Sequence, residues 1–141
     1  MIRSTLLLAT ALCGFVAAAA HAETIKFHDT MNGASEVPPK TTDGTGSVEA
    51  TLETATKVLT YTMTYSGLSG PATAAHFHGP AAPGTNAGVL VPMSPPLNSP
   101  VKGTATLTDA QMADFMDGKV YTNVHTAANP SGEIRGQLAK Q

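Results

Sequence analysis

In Val58-Leu59-Thr60-Tyr61-Thr62-Met63-Thr64-Tyr65-Ser66, large apolar or aromatic side chains alternate with threonine or serine from Leu59 onward. A period of two puts Leu59, Tyr61, Met63 and Tyr65 on one face of an extended strand and the threonines on the other. Upstream, Gly46 to Thr54 repeats the pattern, with Val48, Ala50 and Leu52 set against Ser47, Glu49, Thr51 and Glu53. Thr54-Ala55-Thr56-Lys57 is a tight connection between them. The two segments are therefore expected to form a hairpin with an apolar inner face and a threonine-rich outer one.

The same period recurs on either side. Thr24 to Asp29 alternates Ile25 and Phe27 with polar neighbours before an Asn32-Gly33 turn. Gly67-Leu68-Ser69-Gly70-Pro71 turns into a strand over Thr73 to His78. Residues 79–100 hold six prolines and three glycines and read as loop, with a short strand at Gly88 to Val91. Gly103 to Leu107, Lys119 to Thr126 and Glu133 to Ala139 complete the strands, the last with Ile134 and Leu138 inward and Asn129-Pro130-Ser131-Gly132 as the turn before it. One helix is expected, over residues 108–117. Thr108-Asp109-Ala110-Gln111 is a capping box, Met112, Phe115 and Met116 share a face, and Gly118 stops it. Seven or eight short strands with one short helix imply an all-β Greek-key sandwich or barrel.

Arg3, the apolar run Leu6 to Ala20 and the small residues of Ala20-His21-Ala22 form a signal-peptide pattern, with cleavage expected before Glu23. The expected organisation is a cleaved leader at 1–22 and one domain at 23–141. The run is too short for a good membrane span, and Leu12 before Cys13 does not suit a lipoprotein site. A periplasmic or secreted address without stable membrane insertion follows. Cys13, the single cysteine, lies in the leader, so thiolate chemistry, sulfur-rich zinc sites and blue-copper ligation are excluded from the mature chain. With 8 basic against 10 acidic residues and no basic cluster, nucleic acid is not a partner.

Ala74-Ala75-His76-Phe77-His78-Gly79-Pro80 and Asn123-Val124-His125-Thr126 carry the candidate chemistry. On a strand, His76 and His78 present two imidazoles to one face while Phe77 turns to the other. His125, from another strand, would complete a three-nitrogen metal site with an open fourth position for water, a small ligand or a weak donor such as Met93. The plainer alternative has these rings hydrogen-bonding to strand ends and loop carbonyls and stiffening the 79–100 loop. His28 reads as a solvent-facing strand residue. Glu133 and Arg135 share a face of the last strand; Arg135 would attract an anion or, as the first-ranked reading, pair with a carboxylate such as Glu36. Asn123 shares a face with His125 and is a candidate to orient its ring. Tyr61, Tyr65 and Tyr121 read as core rings with outward hydroxyls, and the methionines as core fillers. Nothing resembles a nucleophile elbow.

Several of these stretches resemble one family. Gly33-Ala34-Ser35-Glu36-Val37-Pro38-Pro39 is similar to the opening motif of the CHRD family, named after the domain first noted in chordin. Tyr65-Ser66-Gly67-Leu68 leading into Ala74 to Ala81 resembles its central signature. Val120 to Thr126 with Pro130 to Leu138 resembles its closing one. The likeness runs from Ile25 to Leu138. It implies an exported bacterial member with an immunoglobulin-like β-barrel, distantly similar to copper/zinc superoxide dismutase. By that resemblance His76, His78 and His125 match three copper ligands, and Arg135 falls near an anion-guiding arginine. The zinc-ligand loop and the disulfide pair of that enzyme have no counterpart here.

Two functions from different classes follow as expectations. The first is an exported protein binding a metal ion, copper foremost, at His76, His78 and His125 for sequestration or delivery. The second is a metal-free binding or structural module contacting an envelope or extracellular protein. Copper-only dismutation is a third, more demanding reading, since it needs an accessible redox-active ion and a steering arginine.

Overall fold

A computed structural model describes residues 22–141. The expected leader lies outside the described residues but for Ala22, and nothing in the fold bears on it. The elements run β1 (Thr24–Asn32), a 3-10 turn (Gly33–Ser35), β2 (Thr45–Glu53), β3 (Val58–Ser66), β4 (Ala72–His78), β5 (Val89–Pro92), β6 (Val101–Thr106), α1 (Asp109–Met116), β7 (Tyr121–Thr126), β8 (Ile134–Gln137) and β9 (Ala139–Lys140). Eight strands form one antiparallel, nearly closed sheet in the order β5-β4-β7-β8-β1-β2-β3-β6, and β9 pairs with β1. The neighbours β3–β6 and β4–β7 are not consecutive, so the chain crosses between the two ends of the sheet. This is the barrel or sandwich with one helix that the alternation implies.

The hairpin that decides the fold is in register along its whole length, from Thr45 opposite Ser66 to Glu53 opposite Val58. Val48, Leu52, Leu59 and Met63 are wholly buried, and the threonines of β3 face outward. Inside, Phe77 packs edge-on against Tyr61 and Phe115, with ring centroids 5.3 and 5.5 Å apart. Phe115 also meets Phe27. The helix thus serves the barrel by delivering one aromatic ring to the core, flanked by the partly buried Met112 and Met116. Its start is the capping box read from the sequence: Thr108 Oγ1 accepts from Gln111 N, and Gln111 Oε1 accepts from Thr108 N.

Several strand ends differ from the alternation: β6 starts at Val101 rather than Gly103 and β7 at Tyr121 rather than Lys119, and two further differences have a visible cause. The first strand runs on to Asn32 because the inward side chain of Asp29 accepts the Val48 amide at 2.8 Å, and Met31 then restores an apolar position. The last strand divides at Leu138, whose amide still donates to Val120 O at 2.9 Å, leaving β8 between β7 and β1 and the two-residue β9 on β1 alone. Among the described residues no helix is long and apolar enough to cross a membrane.

Candidate metal centre

The site sits on the outer face of β4 and β7, which are antiparallel neighbours. Ala74 lies opposite His125, His76 opposite Asn123, and His78 opposite Tyr121. Phe77, between the two histidines, is fully buried in the core. Alternation therefore sends His76 and His78 outward, and the register carries His125 to the same face, diagonal to His76.

One ring nitrogen from each of His76, His78 and His125 lies within 4.8 Å of the others. The closest approach is a hydrogen bond, in which His76 Nδ1 donates to His125 Nε2 at 3.1 Å. Two nitrogens bound to one tetrahedral ion at ordinary bond lengths stand about 3.3 Å apart, so this pair already has the spacing of co-ligands. The third ring has to swing inward by about 1–1.5 Å at most to share the ion.

Backbone carbonyls decide which nitrogens are free. His78 Nδ1 donates to Ala87 O at 3.1 Å, and His125 Nδ1 donates to Pro130 O at 3.0 Å. A neutral imidazole that donates through Nδ1 keeps a bare lone pair on Nε2. His78 Nε2 is buried and has no hydrogen-bond partner, an orphaned acceptor of the kind a cation satisfies. Burial holds His76 down to about 4, with the neighbouring His125 and His78 adding to the effect, and burial likewise lowers His78. At neutral pH these two rings are uncharged, the form in which imidazole binds metals. The three rings would suit a nitrogen-preferring ion held by the Nε2 atoms of His78 and His125 and by His76 Nδ1, once the proton that His76 Nδ1 donates to His125 Nε2 in the metal-free protein has moved to His76 Nε2.

A buried polar layer surrounds the three rings. The Tyr121 ring stacks on His78 at 4.9 Å with an interplanar angle of 5°, and its hydroxyl both donates to Ala87 O and accepts from Ala87 N, each at 3.1 Å. On the far side of Tyr121 the Arg135 guanidinium lies 3.5 Å from the ring centroid. Its fork donates to Asn86 Oδ1 and Thr85 O, at 2.9 and 2.7 Å. Asn86 in turn donates to Val37 O. The segment between β4 and β5 is thereby strapped over the outer face of the sheet.

Several residues depart from their sequence-based roles. Met93 is packed in the core with Phe77 and Ala75, on the other side of the sheet from the imidazoles, so it is no axial donor. Asn123 does not orient His125; its amide donates to Glu36 Oε1, while Pro130 O holds the His125 ring. Arg135 forms no ion pair with Glu36 among the described residues; its guanidinium donates instead to Thr85 O and Asn86 Oδ1. Glu36 is nonetheless near enough to feel that charge: burial pushes its carboxyl up to about 7, and Arg135 pulls the other way. Arg135 is only 2% exposed, and that burial gives no support to an anion-steering role. Glu133 serves different partners altogether, accepting from Thr42 Oγ1, Ser69 N, Ser69 Oγ and Thr126 Oγ1. Tyr121 is no core ring: it is buried on the histidine face, stacked on His78, and its hydroxyl is spent on Ala87 rather than on solvent. His28 stays on the outer face beside Glu49.

The carbonyls of Ala87 and Pro130 were invisible in the sequence, as backbone acceptors always are. The turn Asn129-Pro130-Ser131-Gly132, four residues beyond His125, was the one signal that a carbonyl would return to that ring. Searches of curated proteins and of solved structures return no match. The CHRD domain model matches residues 27–138, from the first core phenylalanine to the last buried leucine, and takes in every residue of the polar layer just described. The chain belongs to the CHRD domain family.

Proposed function

We propose that this CHRD domain binds one transition-metal ion, copper foremost, through His76, His78 and His125, and that it sequesters or delivers that ion in the periplasm or outside the cell. The observation that carries the reading is the bare, buried Nε2 of His78, converging with His125 Nε2 and His76 Nδ1. Imidazole donors suit copper, zinc, nickel and iron, and for a given nitrogen site divalent copper stands at the top of the affinity series. Isothermal titration of the demetallated protein tests this. One ion per chain is expected to bind the wild type, and the triple variant His76→Ala, His78→Ala, His125→Ala is expected to lose it. Unchanged copper affinity in the triple variant overturns the proposal.

A metal-free module contacting an envelope protein is the second reading, and one observation favours it. The His78–Ala87 and His125–Pro130 bonds stiffen the loops without any ion. Thermal unfolding with and without copper separates the two readings, because an ion held by the native state alone raises the midpoint in proportion to its affinity. An identical midpoint in both conditions selects the metal-free module.

A further inference from the structure

The polar layer contains a residue whose contacts all converge on one ligand ring. We infer that Tyr121 is the positioning residue of the centre: it holds His78 in the tautomer and orientation that present Nε2. This rests on the metal-binding reading for its purpose, but not for its geometry.

The Tyr121 ring lies parallel to His78, and parallel stacking restricts rotation of the imidazole about its side-chain bonds. Through its hydroxyl, Tyr121 grips both the amide and the carbonyl of Ala87. That carbonyl is the same atom that receives the His78 Nδ1 proton. A single side chain therefore fixes the plane of the imidazole and also the acceptor that decides which of its nitrogens carries hydrogen. Arg135 closes the column from the other side, packed on the Tyr121 ring, so the phenol cannot retreat from His78. The Tyr121 residue is 4% exposed, which leaves its ring no solvent-side alternative. Residues that hold a ligand in this way typically change metal affinity by roughly ten- to a hundredfold when altered.

Two substitutions separate the two contributions. Tyr121→Phe keeps the stack and frees Ala87; Tyr121→Leu removes both. The first readout is the nitrogen-15 signature of the His78 ring in metal-free protein, which distinguishes the Nδ1–H from the Nε2–H tautomer; the second is copper affinity by competition with a chelator. The wild type is expected to show a single Nδ1–H tautomer. Tyr121→Phe should lower copper affinity about tenfold, and Tyr121→Leu should approach a hundredfold loss with a mixed tautomer signal. Should Tyr121→Leu not fold, Tyr121→Phe still carries the test. If the folded variants retain the wild-type tautomer signature and bind copper within about twofold of the wild type, Tyr121 does not position His78 and the inference falls. If instead the wild type binds no copper while the variants still scramble the His78 tautomer, the positioning stands and the proposed function alone is overturned.

Discussion

Replacing Glu133 with glutamine is expected to destabilise the fold by about 3 kcal/mol at neutral pH, with the deficit vanishing in acid. Glu133 is fully buried, and its carboxylate accepts four hydrogen bonds. These tie the segment before β2, the turn after β3 and the end of β7 to the start of β8. Burial alone would raise its pKa; the Ser69, Thr126 and Thr42 hydroxyls and the Ser69 amide outweigh it and hold the carboxyl at about 2, against an ordinary 4.5. A displacement of that size is worth roughly 3 kcal/mol at 1.36 kcal/mol per unit. The sign follows from linkage. The folded pKa is depressed, so the stabilisation is complete above 4.5 and drains away as pH falls towards 2. Glutamine can keep its oxygen on the Ser69 amide and the Thr42 hydroxyl and turn its NH₂ to the Ser69 and Thr126 hydroxyls, which can accept, so what it loses is the charge that strengthens all four bonds. Urea denaturation of wild type and Glu133→Gln from pH 2 to 7 is the assay. The two stability curves should lie apart at neutral pH and converge between pH 4.5 and 2. A gap below 1 kcal/mol at pH 7, or one that does not change with pH, would refute the assignment of Glu133 as an ionised anchor.

Asp29 predicts the opposite trend. Burial pushes its carboxyl up to about 6 from 3.8, so the folded state favours the protonated form, and stability falls as pH rises from about 4 to 6. Asp29→Asn should flatten that decline, by roughly 3 kcal/mol at neutral pH, in the same urea series. Gly132 has a φ of +128°, and a Cβ there would collide with the Asn123 amide and Glu36 Oε1. Gly132→Ala is expected to lower stability by about 1–3 kcal/mol and to disturb the Pro130 carbonyl that holds His125, read as a lower thermal midpoint together with weaker copper binding.

Much of the fold was legible because alternation and capping are local. Leu59, Tyr61 and Met63 needed only their spacing to be placed inside, and Thr108 with Gln111 announced the helix start. His76 and His78 were legible for the same reason: a strand that buries Phe77 has to expose both neighbours to one side. The partners of these residues were less accessible. Whether Asn123 would serve His125 or Glu36 depended on the β7–β8 register and on the path of the chain after β1, neither of which leaves a mark in a run of residue types. Met93 was placed near the imidazoles on the strength of its sulfur alone. Its backbone pairing with Ala75 puts it instead at an inward position, where an unbranched apolar chain fills the core. Arg135 was misread because a guanidinium was expected to seek a carboxylate. A carbonyl, an amide oxygen and an aromatic face satisfied it instead.

The outer face of an antiparallel sheet is ordinarily wet, and three histidines placed there would titrate near their usual values and exchange bonds with water. What changes the chemistry here is the cover supplied by the segment between β4 and β5, strapped down by Arg135 and Tyr121. Burial holds His76 down to about 4 and lowers His78 as well, so both rings are neutral at pH 7. The Ala87 carbonyl takes the His78 Nδ1 proton and leaves the lone pair on Nε2, and the Pro130 carbonyl does the same for His125, whose Nε2 receives His76 Nδ1. The inward side chains of the same strands make the arrangement stiff, since Phe77 is locked between Tyr61 and Phe115 and cannot shift without moving both histidines. The placement of the two imidazoles and the integrity of the barrel are therefore coupled through alternate residues of one strand. A substitution at Phe77, which touches no ligand, should weaken copper binding by displacing two of them together.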